Sequence, residues 1–489
     1  METSKIREPF VRGSFYKMKN KSSILEKVFL ICFEYYNRSI NSSTGKVKNP
    51  KEILRDFDFE LKKQPETEAT LLSDIQSYLQ LTPNTLTPNF SNQLFSGLNQ
   101  YALAGDWLTS VTNTTMATFE VSPIGTLIEK KIIEHLNQMI GWDAGDGTMA
   151  TGGSNANMIA LLVARNKMFP EIKMKGQLNH KLTIFVSEDA HYSFEKAANI
   201  LGIGLNQVKK IYTNVNGEMD VSHLEESIIA SIAEGECPFF VAATSGSTVL
   251  GSFDPINLIY EITKKYNLWF HVDGAWGGSV LVSSKHRHLL DGIKNVDSMT
   301  WDTHKMIGTG LMSSFFLTKH FGSLRLSNNI GGEDYIFHES ETSEWDSGPS
   351  SLQCGRRNDA LKVWLVWRSL GDFGIERQID GLFDMAVKAR DMINKYKELE
   401  LMYEPSSLNI CFRFRSTHEV NALNKEIRFR LLKEGTFFVN IATRKNETFF
   451  RLIIVHPELN EIHLESLFSA IVRLGIKIED EQSSYLLKN

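Results

Sequence analysis

Leu268-Trp269-Phe270-His271-Val272-Asp273-Gly274-Ala275-Trp276-Gly277-Gly278 reads as a strand that stops at a carboxylate and turns on small residues. A short apolar run with little polar alternation is the pattern of a strand covered on both faces. Comparable runs occupy 182–186, 239–243, 298–301 and 314–317, with helical spacing at 155–167 and 194–201 between the earlier ones. This order predicts an α/β large domain, a mostly parallel sheet flanked by helices. Ligands on such sheets lie outside the carboxyl ends of the strands, where Asp273 falls.

Outward from this block the pattern changes. Ile53, Leu54, Phe57 and Leu61, then Leu71, Leu72, Ile75 and Leu79, follow helical spacing before Pro83 and Pro88. After Gly374 come a long helical stretch at 379–396, strand-like runs at 409–414 and 448–455, and a helical stretch at 464–474. The expected division is an N-terminal helical segment (1–110), a large domain (111–375) and a small C-terminal α+β domain (376–489).

The 489 residues exceed one ordinary core, and 42% hydrophobic with 23% charged residues is a globular composition. A net charge of −5 and the lack of a Lys/Arg-rich stretch argue against nucleic acid. Cys32, Cys237, Cys354 and Cys411 show no C-x-x-C spacing, so no zinc site, no other metal centre and no disulfide framework is expected. Residues 1–13 carry charges without an apolar region, which speaks against a signal peptide. Glu26, Lys27 and Glu34 break the apolar stretch at 24–36, which is too short to span a membrane. A cytoplasmic protein with no membrane partner is the expectation.

Four segments carry chemistry. In Trp301-Asp302-Thr303-His304-Lys305-Met306 a lysine lies just past a strand end. If buried, its charged form is disfavoured, and a neutral amine can form an imine with an aldehyde cofactor. Asp273 ends another strand, where a carboxylate can hold a pyridinium nitrogen protonated. His191, in Ser187-Glu188-Asp189-Ala190-His191, follows a third strand and can stack on a flat ring. Thr151-Gly152-Gly153-Ser154-Asn155-Ala156-Asn157 opens an apolar helix, whose free N–H groups suit a phosphate. Taken singly, each has an ordinary structural explanation: a solvated lysine, a turn aspartate, a loop histidine, and a helix start capped by Ser154 or Asn155. Thr244, in Ala243-Thr244-Ser245-Gly246-Ser247-Thr248, either bonds a ring oxygen or belongs to a plain turn.

Together with Asn92-Gln93-Leu94, Lys285-His286-Arg287 and Gln353-Cys354-Gly355-Arg356, these segments resemble the group II pyridoxal-phosphate-dependent decarboxylases. The likeness runs from about Asn92 to Leu474 and is closest to the glutamate and cysteine sulfinate decarboxylases. It implies a type I aminotransferase-like fold, pyridoxal 5'-phosphate as cofactor, and a homodimer with sites at the subunit interface. It assigns the covalent lysine to Lys305, the ring nitrogen to Asp273 and the ring stack to His191. Gly153, Ser154 and His304 take places around the phosphate and lysine, and Thr244 and Ala275 line the ring. Arg451 matches an arginine that pairs with a substrate carboxylate, a task suited to its two-pronged donors.

This sequence departs from the family at three places. Asp302-Thr303 replaces the usual Asn-Pro, which sets a carboxylate near a phosphate. Gly274 replaces an alanine. Glu341 falls at the loop tyrosine that supplies the Cα proton, within a loop that ends Asp346-Ser347-Gly348-Pro349; Tyr335 matches an earlier position. The proton source is therefore Glu341, His191 or a water. Gln93 and Arg451 suit an acidic substrate, and Phe95 replaces a serine of the glutamate enzymes, which favours aspartate or cysteine sulfinate. The expected reaction is α-decarboxylation of an acidic L-amino acid. The rival readings are decarboxylation of a non-acidic amino acid, aldehyde formation after loss of the loop tyrosine, and a non-catalytic paralogue.

Overall fold

In the computed structural model, residues 23–177, 180–331, 335–338, 340–416 and 419–486 are described. Residues 1–13, which speak against a signal peptide in sequence, lie outside them. The N-terminal segment forms helices Ile24–Ser39, Pro50–Asp56 and Glu68–Leu81, a two-residue strand β1 (Phe90–Ser91) and the helix Gln100–Thr112. The second helix stops short of the expected Leu61. Phe57 is extended (φ −138°, ψ 133°) and Leu61 is fully exposed, so the apolar spacing there does not belong to one helix.

Seven strands build the large sheet: β2 (Asp146–Ala150), β3 (Leu182–Ser187), β4 (Val208–Ile211), β5 (Cys237–Thr244), β6 (Trp269–Asp273), β7 (Ser298–Asp302) and β8 (Ser314–Thr318). Their order is β2-β8-β7-β6-β5-β3-β4. Five strands from β7 to β4 run parallel, and β8 alone runs against the rest. Side chains alternate between two dry faces. Phe185, Val241, Phe270 and Met299 enter one core, while Ile184, Val186, Phe240 and Ala242 enter the other. The helix Gly153–Met168 packs Ala156, Ile159, Ala160 and Val163 onto the second face. Covering both faces this way lets continuous apolar runs persist without alternation.

The small sheet adds β9 (Leu399–Leu401), β10 (Asn409–Phe414), β11 (Phe438–Arg444) and β12 (Glu447–Ile453), in the order β1-β11-β12-β10-β9. The irregular stretch after Pro88 thus lends β1 to this sheet, parallel to β11. The helix expected at 379–396 begins earlier, as Ala360–Ile393, and breaks at Gly371 (φ 62°). Gly371 and Gly374 hide this continuity in sequence, because glycine reads as a breaker. The divisions at 110/111 and 375/376 both fall inside helices. Among the described residues, no helix is long and apolar enough to cross a membrane.

Candidate active site

Because β3, β5, β6 and β7 are parallel, their carboxyl ends share one edge. Thr244, Asp273 and Asp302 end three of them, and His191 and Lys305 follow two of them closely. With Gly153, Ser154, Ala275 and His304, the residues Thr244, Asp273, His191 and Lys305 line a single cavity of about 270 Å³. The four segments, spread along the chain from Gly153 to Lys305, are thus brought together by strand direction.

Asp273 is buried and held from two sides: Asn157 Nδ2 donates to Oδ2 at 2.8 Å and the Ala275 N–H to Oδ1 at 3.1 Å. A chain of bonds fixes the asparagine. Trp269 Nε1 donates to Ser298 Oγ (2.8 Å), which lies 2.9 Å from His271 Nδ1. His271 Nε2 faces Asn157 Oδ1 at 3.2 Å, and Thr300 Oγ1 donates to the same oxygen at 2.7 Å. Full burial pushes the His271 ring down to about 3, so it stays neutral. With Ser298 donating to Nδ1, the hydrogen sits on Nε2 and points at Asn157. The amide oxygen is thereby occupied and its N–H side faces the carboxylate.

His191 is held below its ordinary titration range by burial, with the Asp273 charge acting the other way. The Ser193 N–H donates to Nδ1 at 3.3 Å, which leaves the hydrogen on Nε2. Tyr192 backs the ring at 4.2 Å between centroids. The result is a flat, uncharged ring on the cavity wall.

Gly152 takes φ 126°, a backbone conformation that favours glycine, and starts the helix Gly153–Met168 without a side-chain cap. Neither Ser154 nor Asn155 caps it; Asn155 Oδ1 accepts from the Thr151 N–H at 3.3 Å instead. A Cβ on Gly153 would lie 2.7 Å from Asp302 Oδ2, so the close approach demands glycine. The Thr244 N–H donates to Asp254 Oδ2 at 2.6 Å, while Thr244 Oγ1 is buried with no partner. Lys305 Nζ lies 3.0 Å from Asp302 Oδ2, with one-fifth of its side chain exposed. The expected lone buried amine is therefore an ion-paired one. His304 accepts from the Ser313 N–H at 3.1 Å through Nδ1, and burial depresses its protonation. At Gly274 a Cβ would lie 2.5 Å from Met299 Cε, a flexible chain end that can move, and 3.0 Å from the Thr300 carbonyl oxygen.

The substrate-side residues stand apart. Gln93 is exposed and its neighbour Leu94 lines the cavity. Phe95 lines an adjoining cavity of about 240 Å³ that shares His304 with the first. Arg451 is buried on β12, with Nη1 donating to the Thr248 carbonyl (2.9 Å) and Nη2 to the Asn92 carbonyl (2.8 Å). Glu341 is exposed, and Tyr335 is 78% exposed. Neither lines the cavity. Sequence reasoning passes over Asn157, Asp254 and Trp276. Asn157 stands four residues after Gly153, one helical turn along the face that looks at the strand ends. Trp276 Nε1 donates to Asn409 Oδ1 at 2.9 Å and ties the cavity wall to the small lobe. Nothing in the local sequence marks Asp254, whose partners Thr244 and Met219 are brought to it only by the fold.

These groups fit pyridoxal 5'-phosphate: an amine beside the strand ends, a braced carboxylate, an unpartnered Thr244 hydroxyl and an uncapped helix start. The pyridoxal-dependent decarboxylase conserved domain matches residues 50–415, and the chain belongs to that family. It is a carboxy-lyase that uses pyridoxal 5'-phosphate. Cysteine sulfinic acid decarboxylase of Mus musculus is 36% identical over 474 residues, covering 93% of this chain and 96% of that protein. The Homo sapiens protein of the same name is 36% identical over 455 residues, covering 89% and 92%. The crystal structure of mouse CSAD superposes with a TM-score of 0.90 at 35% identity, over 92% of this chain and 98% of that one.

Proposed function

We propose that the chain decarboxylates a short acidic L-amino acid, cysteine sulfinate or aspartate ahead of glutamate. The observation that carries this is the convergence of Lys305, Asp273 and His191 on one cavity, in a chain 36% identical to cysteine sulfinic acid decarboxylases. When bound, the cofactor supplies an aldehyde for amines and a ring that accepts the electrons of a broken bond. Lys305 would hold it through its side-chain amine. Asp273, oriented by Asn157, keeps the ring nitrogen protonated. Gly153, Ser154 and His304 hold the phosphate end, Thr244 and Ala275 line the ring, and His191 covers its face. With the cofactor bound, the residues around it would choose which bond at Cα breaks by fixing how the substrate is oriented. A water in the cavity, or His191 in its protonated form, would return the proton to Cα; Glu341 is exposed and does not line the cavity.

For the acidic side chain, Arg451 exchanges the Thr248 carbonyl for a substrate oxygen, Phe95 shortens the pocket and Gln93 stands at its rim. The working unit is a homodimer in the cytoplasm. The test is to incubate the purified protein with pyridoxal 5'-phosphate and a panel of acidic and aromatic amino acids, and to identify each product. The amines left when cysteine sulfinate or aspartate loses its α-carboxylate are expected, at higher kcat/KM than from glutamate. A clear glutamate preference sinks the short-substrate reading, and an aldehyde product sinks decarboxylation to the amine.

A further inference from the structure

Among the described residues, Asp302 is the one carboxylate besides Asp273 on the cavity wall. Its side chain is 2% exposed. Oδ2 meets Lys305 Nζ at 3.0 Å and stands 3.9 Å from His304 Nε2. Oδ1 is buried and has no hydrogen-bond partner. A Cβ built on Gly153 would sit 2.7 Å from Oδ2 and 3.2 Å from Oδ1, so both oxygens press against the start of the helix Gly153–Met168. That start carries no side-chain cap. One carboxylate thus faces the amine that must react and lies against Gly153, the first residue of the helix whose start suits a phosphate.

We propose that Asp302 is a specificity-determining residue for the cofactor: its charge opposes the phosphate group and makes cofactor holding readily reversible. The proposal rests on Lys305 and the Gly153 helix start being the anchor points. A carboxylate and a phosphate dianion at one helix start repel, and their burial leaves little solvent or salt to screen them. Lys305 offsets the carboxylate only while its ammonium stays beside it. A lysine that would hold the cofactor's aldehyde no longer offers Asp302 a free ammonium, so the carboxylate's charge would be less fully offset there. The sequence signal is Asp302-Thr303, where an amide would donate to the phosphate rather than repel it.

The experiment compares pyridoxal 5'-phosphate with pyridoxal, which has the aldehyde and ring but no phosphate. Affinities of the wild-type chain and Asp302→Asn are read by the absorbance of the lysine-bound chromophore. Asp302→Asn should tighten the phosphate form by about tenfold or more beyond whatever change it makes to pyridoxal through the Lys305 amine. Asp302→Ser, smaller and uncharged, should shift the ratio the same way if the asparagine variant misfolds. An equal change for both ligands would mean that Asp302 acts on the Lys305 amine alone, and overturns the proposal. So does an unchanged or weakened phosphate form. Borohydride reduction and peptide mapping of the wild type separate the two levels. Label on a residue other than Lys305 removes the site reading itself; label on Lys305 with no shift in the ratio removes only the role of Asp302.

Discussion

Asn157 and Asp273 form one unit: the amide N–H of the first donates to the carboxylate of the second at 2.8 Å, both buried. Asn157 cannot flip without losing the Thr300 hydroxyl at 2.7 Å and the His271 ring at 3.2 Å. Replacing it by alanine strips Asp273 of a donor and leaves Thr300 and His271 without their acceptor. Asn157→Ala should lower kcat roughly tenfold or more and cost about 1–3 kcal/mol of stability. Steady-state kinetics and denaturant midpoints check both. Unchanged kcat in a folded variant would show that Asp273 needs no such support.

His191 presents a neutral, flat ring to the cavity, backed by Tyr192. If its main service is stacking, shape matters more than the ring nitrogens. His191→Ala should weaken cofactor affinity roughly tenfold, and His191→Phe should restore most of it. The phenylalanine variant should still lose kcat if His191 carries a proton to Cα in its charged form, because phenylalanine cannot be protonated. Fluorescence titration with the cofactor, set beside turnover, separates the two roles. Full activity in His191→Phe would remove His191 as proton source.

The sheet and its strand-end chemistry are legible in the sequence because a strand buried on both faces must be apolar throughout and must stop where polarity begins. Val272-Asp273 and Trp301-Asp302 show that break plainly. The edge strands are not legible: Val208–Ile211 carries two lysines toward half-exposed positions, and Asp146–Ala150 has a glycine as its second residue. Register and pairing also stay hidden. That Asn157 faces Asp273, 116 residues further on, or that Gly153 meets Asp302, depends on where a helix start lands over distant strand ends. Arg451 marks the other limit. Its residue type fits a substrate carboxylate, yet its two terminal nitrogens donate to the carbonyls of Thr248 and Asn92.

Two buried groups give stability opposite dependences on pH. The Asp254 carboxyl, fully desolvated, rises from the ordinary 3.8 to about 7. The folded state then keeps a proton that the unfolded chain releases, so this group's support is complete in acid and lost as pH rises toward about 7. His271 falls from 6.5 to about 3, so its support is present above about 6.5 and lost as pH falls toward about 3. Asp254→Asn loses an acceptor for Met219 or Thr244 and should be less stable in acid. Its deficit against the wild type should shrink from about pH 5 to pH 7.5, by at most about 1.4 kcal/mol per unit. For His271→Gln the deficit should grow between about pH 4.5 and 6.5. Denaturant midpoints across this range decide, and a deficit independent of pH would refute either assignment.

Arg444, on β11 of the small sheet, reaches across to the loop that carries His191. Its Nη2 lies 3.0 Å from Asp189 Oδ2 and 2.9 Å from Thr213 Oγ1, with 8% of the side chain exposed. Its guanidinium also lies over the Tyr403 ring, 5.5 Å from the centroid. A pair this buried costs a great deal to halve, because the remaining charge keeps its desolvation without a partner. Arg444→Met should therefore lose about 3 kcal/mol, and Asp189→Asn should lose less, since the amide oxygen still accepts from the arginine. The loop at 188–192 should loosen in both, and His191 with it. Hydrogen exchange at the Ser193 N–H, which is bonded to His191 Nδ1, reports this directly. Faster exchange there with unchanged exchange in β5 would establish a local link between the small lobe and the His191 ring. Protection at Ser193 that survives the loss of Arg444 would show that the loop holds itself.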